Sequence, residues 1–340
     1  MTRMAVVFNP LKVREDQLRR AFEQGMEAAA WDAIDWYPTT PDDFGRGIAA
    51  RAVRSGADVV AAAGGDGTVR DVAFALRGTG TPMAIVPQGT GNLLARNLGL
   101  PLGLDASVGI AFGPGERQID VGMLGLTRQD GSSLDPDVFL VMAGMGIDAE
   151  MIRATRPVLK KTIGWMAYAD AVWRTLPKSK SFRVGYRVDD HEPRSSKVHS
   201  MVIANCDTLP GGLRIVPDSE PDDGFLDIAG FRPRGPFGVA KVWTTVAIEN
   251  SVLRRFAWGR RISDQRTSQG RDVIYRRGTR VSLWTPEPVG VQVDGDDLGD
   301  AVAVSVEIEV GALRVKIPIS RMVDEDSSPA ELEASPARAE

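Results

Sequence analysis

Residues 57–63 have the pattern of a buried β-strand, and they run directly into Gly64-Gly65-Asp66-Gly67-Thr68. A helix follows, from about Val69 to Leu76. Glycines let the backbone take positive φ and let a ligand approach the main chain closely. The first turn of a helix carries unpaired N–H groups and the positive end of the helix dipole, which suits a phosphate. An aspartate inside such a loop repels a phosphate unless a cation or donor stands between them. Asp66 is therefore expected to handle Mg²⁺ or to orient the loop. Taken alone, the same residues also describe a plain strand–helix turn capped by an aspartate.

The surrounding pattern places this turn in a repeating unit. Residues 4–8 form a short apolar strand that stops at Asn9-Pro10. Leu18, Ala21, Phe22, Gly25, Met26 and Ala29 then share one helical face at spacings of three and four. A strand at 34–37, a helix at 41–55, the glycine-loop strand and helix, and a strand at 83–86 complete the alternation. Such alternation predicts a parallel sheet wound with helices on both faces. After about residue 117 the strand-like stretches crowd together, at 118–124, 138–142, 182–188, 198–204, 273–284, 289–293, 301–308 and 313–317. Two helical stretches interrupt them, near 163–176 and 236–256. The expected fold is an α/β N-terminal domain with a doubly wound parallel sheet (1–120) and a β-rich antiparallel sandwich domain (121–320). The last strand is able to return to the first domain. The acidic, Ser-, Pro- and Ala-rich tail at 321–340 is expected to be disordered.

A second loop, Pro87-Gln88-Gly89-Thr90-Gly91-Asn92, lies about one βα unit after the first. Its strand can be a near neighbour in the sheet. Both loops then open at the carboxyl edge, where ligands bind in doubly wound sheets. Thr90 and Asn92 supply neutral donors. Two polar glycine loops at one edge are hard to explain as turns alone. At this point the chain resembles a known family. Gly64 to Thr68 is similar to the signature of the diacylglycerol kinase, sphingosine kinase and ceramide kinase catalytic domain. Phe8-Asn9-Pro10 resembles that family's opening strand and turn, and 87–96 its second motif. The resemblance continues through Asp120-Val121-Gly122, 144–149, 217–227 and 293–296, in family order. The chain most resembles the soluble bacterial lipid kinases.

The resemblance implies an ATP- and Mg²⁺-dependent kinase that phosphorylates a lipid hydroxyl, diacylglycerol first among the acceptors. It implies an ATP site formed by Asn9, Pro10, Thr39 or Thr40, Gly64, Gly65, Asp66, Gly67, Thr68, Gly89, Thr90, Gly91 and Asn92. Arg70 and Asp71 follow the loop and extend it. The family often has a glycine shortly after Asn-Pro. This chain has Leu11-Lys12, and Lys12 is expected to add positive charge near the polyphosphate. The stretch 217–227 is, on its residues alone, either a glycine turn with exposed carboxylates or a hard-cation site. The resemblance implies Mg²⁺ here, with a side-chain ligand at Asp223 and main-chain carbonyls at Glu220 and Phe225. Val293-Asp294-Gly295-Asp296 is, as a bare pattern, a hairpin turn. The family usually has Asp-Gly-Glu there, with the final carboxylate as the base that takes the hydroxyl proton. Asp296 holds that position, shorter by one methylene, and Asp294 is the alternative. Leu93 stands where many relatives carry an aspartate, which leaves the number of Mg²⁺ ions open.

Composition limits the partners. The net charge of -4 over 340 residues does not point to nucleic acid. A single cysteine, Cys206, excludes an intrachain disulfide and fits a reducing compartment. No apolar run approaches the ~18–20 residues of a membrane span. The opening residues lack the regions of a signal peptide. A cytoplasmic protein that meets a membrane peripherally fits all of this, and a homodimer is left open. Between Arg153 and Arg183 there are eight Lys or Arg residues and one acid. Trp165, Tyr168, Ala169, Val172, Trp173 and Leu176 share a helical face in this stretch, as expected either of an interfacial helix on anionic lipid or of a core helix with solvated flanks. A second basic cluster, Arg254, Arg255, Arg260 and Arg261 around Phe256 and Trp258, has the same two readings. His191 and His199 are isolated, and no Cys/His cluster suggests zinc. Two other functions remain in view. An NAD kinase shares the Gly-Gly-Asp-Gly loop, although the Asn-Glu dipeptide that such enzymes use for the ribose is not found. A catalytically silent lipid-binding protein would accommodate Leu93 and Asp296.

Overall fold

The computed structural model describes residues 1–146, 181–209, 213–214, 219–232 and 273–319. The chain begins with β1 (Arg3–Phe8), α1 (Glu15–Ala29), β2 (Ala33–Pro38), α2 (Arg46–Arg54), β3 (Val59–Gly64), α3 (Asp66–Leu76), β4 (Met83–Pro87), α4 (Leu93–Asn97) and α5 (Leu104–Ala111). The four strands are parallel, in the order β4-β3-β1-β2. Alternate side chains of each strand enter opposite layers. Met4, Val6 and Phe8 pack with Leu18 and Phe22 of α1 and with Val108 and Ala111 of α5. Ala5 and Val7 face the other way, into a core with α2 and α3. Burial on both faces explains why these strands are apolar without alternation.

Local boundaries differ from expectation where side chains close turns. Helix α2 starts at Arg46 because residues 40–43 form a tight turn and Asp43 Oδ1 accepts the Gly45 and Gly47 amides, at 3.0 and 3.1 Å. Helix α3 starts earlier than expected, at Asp66 inside the glycine loop. Helix α5 was not apparent from the sequence.

The second half contains β5 (Glu116–Thr127), β6 (Asp137–Phe139), β7 (Met142–Met145), β8 (Phe182–Val188), β9 (Arg194–Val198), β10 (Ser200–Ala204), β11 (Thr208–Leu209), β12 (Leu213–Arg214), β13 (Leu226–Phe231), β14 (Val273–Gly278), β15 (Arg280–Val293) and β16 (Asp296–Lys316). Its pairings are antiparallel. Strand β15 passes through Pro286 and Pro288 where its register against β16 shifts, between Trp284 and Val289. A bulge is a place where a strand tolerates proline. Strand β13 follows the glycine turn of the stretch 217–227.

The architecture is the expected one: a doubly wound parallel sheet joined to an antiparallel β-rich half. Strand β16 joins them. It pairs with β15 and β5, and at its far end Val315 pairs with Met83 of β4 in parallel. One sheet of fourteen strands results. The expected helices at 163–176 and 236–256, both basic clusters except Arg183 of β8, and the tail at 321–340 lie outside the described residues.

Candidate active site

The parallel strands deliver their carboxyl ends to one edge. There the Asn9 amide donates to Ala63 O at 3.1 Å, and Asn9 Oδ1 accepts the Leu11 amide at 3.0 Å. This turn holds Pro10 and Lys12 at the exposed rim. The buried Thr39 donates its amide to Phe8 O at 2.8 Å, and Thr40 sits in the next turn with Asp43. Gly64 pairs with Pro87 across β3 and β4, so the two glycine loops start side by side. A Cβ at Gly89 would lie 2.6 Å from Gly65 Cα, so this close approach requires glycine.

Asp66 joins the loops. Its carboxylate accepts the Asn92 amide at 2.9 Å and the Leu93 amide at 2.5 Å. Burial pushes this carboxyl above its ordinary range, while the two amides pull it down. Asn92 adopts φ 49° and closes its own loop, accepting the Gly89 amide at 2.9 Å and donating to Gly89 O at 3.1 Å. Thr90 is left exposed at the rim, and Thr68 is buried under the first turn of α3. Of the two roles expected of Asp66, these bonds correspond to orienting the loop.

The β15–β16 hairpin reaches the same edge. Asp294 and Gly295 form its turn with φ of 46° and 89°, the left-handed pair that suits a two-residue hairpin. Asp294 turns inward. Its carboxylate accepts the amides of Leu140, Val141 and Met142 at 2.9, 2.9 and 3.0 Å. Burial pushes it up to about 6, against the opposing pull of Arg70 and these three amides. Asp296 turns outward, with its side chain 45% exposed. A Cβ on Gly67 would be 3.2 Å from Asp296 Oδ2, so this carboxylate lies against the glycine loop. Arg70 Nη1 is 3.0 Å from the same oxygen. Nothing local in the sequence marks that contact, because the two residues lie far apart in the chain.

The acidic turn is held by Asp223, whose carboxylate accepts the Glu220 amide at 3.3 Å. In place of an open magnesium cage, however, it carries ion pairs. Asp223 Oδ1 accepts the Phe225 amide at 2.9 Å, and Asp223 Oδ2 pairs with Arg277. The Arg277 guanidinium also lies over the Phe225 ring, 4.7 Å from its centroid. Asp222 is held by Arg117 through two bonds of 2.7 and 2.9 Å. Asp120 is buried beneath the turn and accepts the Gly224 and Gly311 amides, both at 2.7 Å. As they stand, these residues fit an arginine rather than a resident magnesium ion, because the one side-chain ligand is already neutralised. Among the described residues, no group of three His, Cys, Asp or Glu side chains converges on a metal-sized site.

Comparison with known proteins gives this edge its context. The diacylglycerol kinase catalytic domain model matches residues 3–124. The YegS C-terminal NAD kinase beta sandwich-like domain model matches residues 141–317, more than half of the chain. The chain belongs to the family of diacylglycerol kinases and YegS-type lipid kinases. It is a kinase, and this membership implies ATP as its co-substrate. A Pseudomonas aeruginosa protein named "Probable lipid kinase YegS-like" is 26% identical over 93% of this chain and 94% of its own length. The diacylglycerol kinase of Bacillus subtilis is 24% identical over 87% of this chain and 90% of its own. A diacylglycerol kinase structure from Bacillus anthracis superposes with a TM-score of 0.62 at 17% identity, covering 94% of this chain and 97% of that one, which shows the shared fold. Among the described residues, no helix is long and apolar enough to cross a membrane.

Proposed function

We propose that this kinase transfers the γ-phosphoryl group of ATP to the hydroxyl of a membrane lipid, with diacylglycerol the acceptor to examine first. One observation carries the reading. The outward carboxylate of Asp296 meets Gly67 at the edge where both glycine loops and the amino end of α3 converge. A polyphosphate seated on the loop amides would place its terminal phosphorus near that carboxylate. The nucleotide arrives as MgATP, and the magnesium ion offsets the charge on the phosphates.

In this reading the loop amides from Gly65 to Thr68, with Thr90 at the rim, bind the phosphates. Asn9 and Thr39 shape the far side of the same edge, and Lys12 adds positive charge. The lipid hydroxyl gives its proton to Asp296 as its oxygen bonds to the γ-phosphorus. The bond from that phosphorus to the bridging oxygen breaks, and ADP leaves. Asp294 is the weaker choice of base, since its oxygens are occupied by three backbone amides. The basic, tryptophan-bearing segment between Arg153 and Arg183 would hold the enzyme at an anionic surface.

The test is incubation with γ-labelled ATP and Mg²⁺ in detergent micelles containing diacylglycerol, ceramide, sphingosine or phosphatidylglycerol. Wild type should label diacylglycerol, and Asp296→Asn should lower kcat by about 10²–10⁴-fold. An unlabelled lipid panel beside labelled NADP from added NAD would overturn the proposal.

A further inference from the structure

The buried charge nearest the proposed base is Arg70. It lies one turn into α3, in the helix whose amino end forms the glycine loop. Arg70 is only 8% exposed, and its polar contacts fall on a single hairpin. Nη1 donates to Val293 O at 3.1 Å and pairs with Asp296 Oδ2 at 3.0 Å. Its Nε makes no hydrogen bond. Asp294, buried in the same turn, adds to the negative surroundings.

Burying a guanidinium costs several kcal/mol unless charges and acceptors surround it. Here the hairpin supplies the larger share through Val293 O, Asp294 and Asp296, and Asp137 of β6 and Asp71 of α3 add to it. Burial pulls the guanidinium down, and Asp294, Asp296, Asp137 and Asp71 more than offset it, so the net direction is upward. The guanidinium therefore stays charged, and its two contacts tie α3 to the hairpin. A carboxylate on a free hairpin tip would explore several rotamers, whereas one held by an arginine is confined to one.

We propose that Arg70 is the positioning residue that locks the Asp296 carboxylate against the glycine loop and joins the phosphate-binding helix to the catalytic hairpin. The proposal rests on the kinase reading with Asp296 as base. Arg70 engages Oδ2, while Oδ1 makes no hydrogen bond among the described residues and can receive the hydroxyl proton. Arg70 therefore gives the carboxylate its aim. Asp66 of α3 also faces this carboxylate.

Arg70→Met keeps most of the length and removes the charge, and Arg70→Lys restores a charge without the planar fork. The assay is phosphorylation of diacylglycerol in mixed micelles with MgATP. Arg70→Met should lower kcat about tenfold or more with KM for ATP within about twofold. Arg70→Lys should recover part of the lost kcat. In an Asp296→Asn background, Arg70→Met should cost little more, as expected when two residues act as a unit. Equal losses in both backgrounds, or a loss carried by KM with kcat unchanged, would overturn the role. A readout independent of turnover separates this from failure of the kinase reading. The ¹³C resonance of the Asp296 carboxyl, read at one pH, should move in Arg70→Met, or in Arg70→Lys if the methionine variant does not fold. An unmoved resonance refutes the pairing, whereas a moved resonance in a protein that phosphorylates no lipid refutes the kinase reading alone.

Discussion

Asp294 shows how one residue can look catalytic in sequence and be structural in space. It stands two positions from Asp296 in an Asp-Gly-Asp triplet, and no local feature says which carboxylate faces the cleft. The left-handed turn decides, because it directs Asp294 onto three amides of the segment 140–142. Burial raises its carboxyl from 3.8 to about 6. The folded chain then retains a proton that the unfolded chain has released between those values. Its contribution to stability is full below 3.8 and is lost as pH rises through about 6. The change amounts to about 3 kcal/mol. Urea unfolding between pH 4 and 8 should show this falling slope in wild type and a flatter one in Asp294→Asn. The asparagine also loses an acceptor to a misplaced NH₂, which lowers stability by about 1–3 kcal/mol at every pH. Identical slopes in the two proteins would show that Asp294 titrates as it does in the unfolded chain.

At the scale of elements, the sequence displays whatever a segment determines for itself. Strands β1, β3 and β4, the two glycine loops and the hairpin at Gly295 all rest on local composition, and each appears where the pattern places it. Boundaries set by distant partners are invisible to that pattern. The break between β14 and β15 is an example. Asp189 accepts the amides of Thr279 and Arg280, at 2.8 and 2.9 Å, from a turn 90 and 91 residues away. The acidic turn is another. Its carboxylates are plain in the sequence, but Arg117 and Arg277 come from β5 and β14. This pairing makes a specific prediction. Without nucleotide, the melting midpoint of wild type should move by less than about 1 °C between millimolar Mg²⁺ and excess EDTA. Arg277→Met should leave Asp223 unneutralised, lower the midpoint, and make it rise again with Mg²⁺. A wild-type midpoint that drops several degrees in EDTA would mean that a metal displaces Arg277 in solution.

Across the whole molecule, the two halves that the sequence separates by texture share a strand and a core. The change of texture near residue 117 is real, since parallel pairing gives way to antiparallel there. Sheet and core both run across it. Strand β16 begins at the proposed base and ends against β4, and Leu313 of this strand pairs with Ile119 of β5. The core around α2 and α3 also takes in Val202, Ala229, Phe231, Leu313, Val315 and Ile317 from the second half. Removing Leu313, Val315 and Ile317 alone would forfeit about 5–9 kcal/mol of apolar burial. That is comparable to the entire net stability of a typical domain, about 5–15 kcal/mol. The stretch 1–124, which carries the catalytic-domain match, should therefore not fold as an isolated fragment. It would also present the bare edge of β4, a template for association. Expressed alone, it should lack a cooperative melting transition and bind a hydrophobic dye, while the full chain should melt in a single calorimetric step with matching van't Hoff and calorimetric enthalpies. A soluble 1–124 fragment with its own sharp transition, or two resolved steps in the full chain, would show that β16 joins halves already stable apart. Asp296 would then ride on a mobile interface instead of a continuous sheet, and the geometry at Gly67 would depend on how the halves meet.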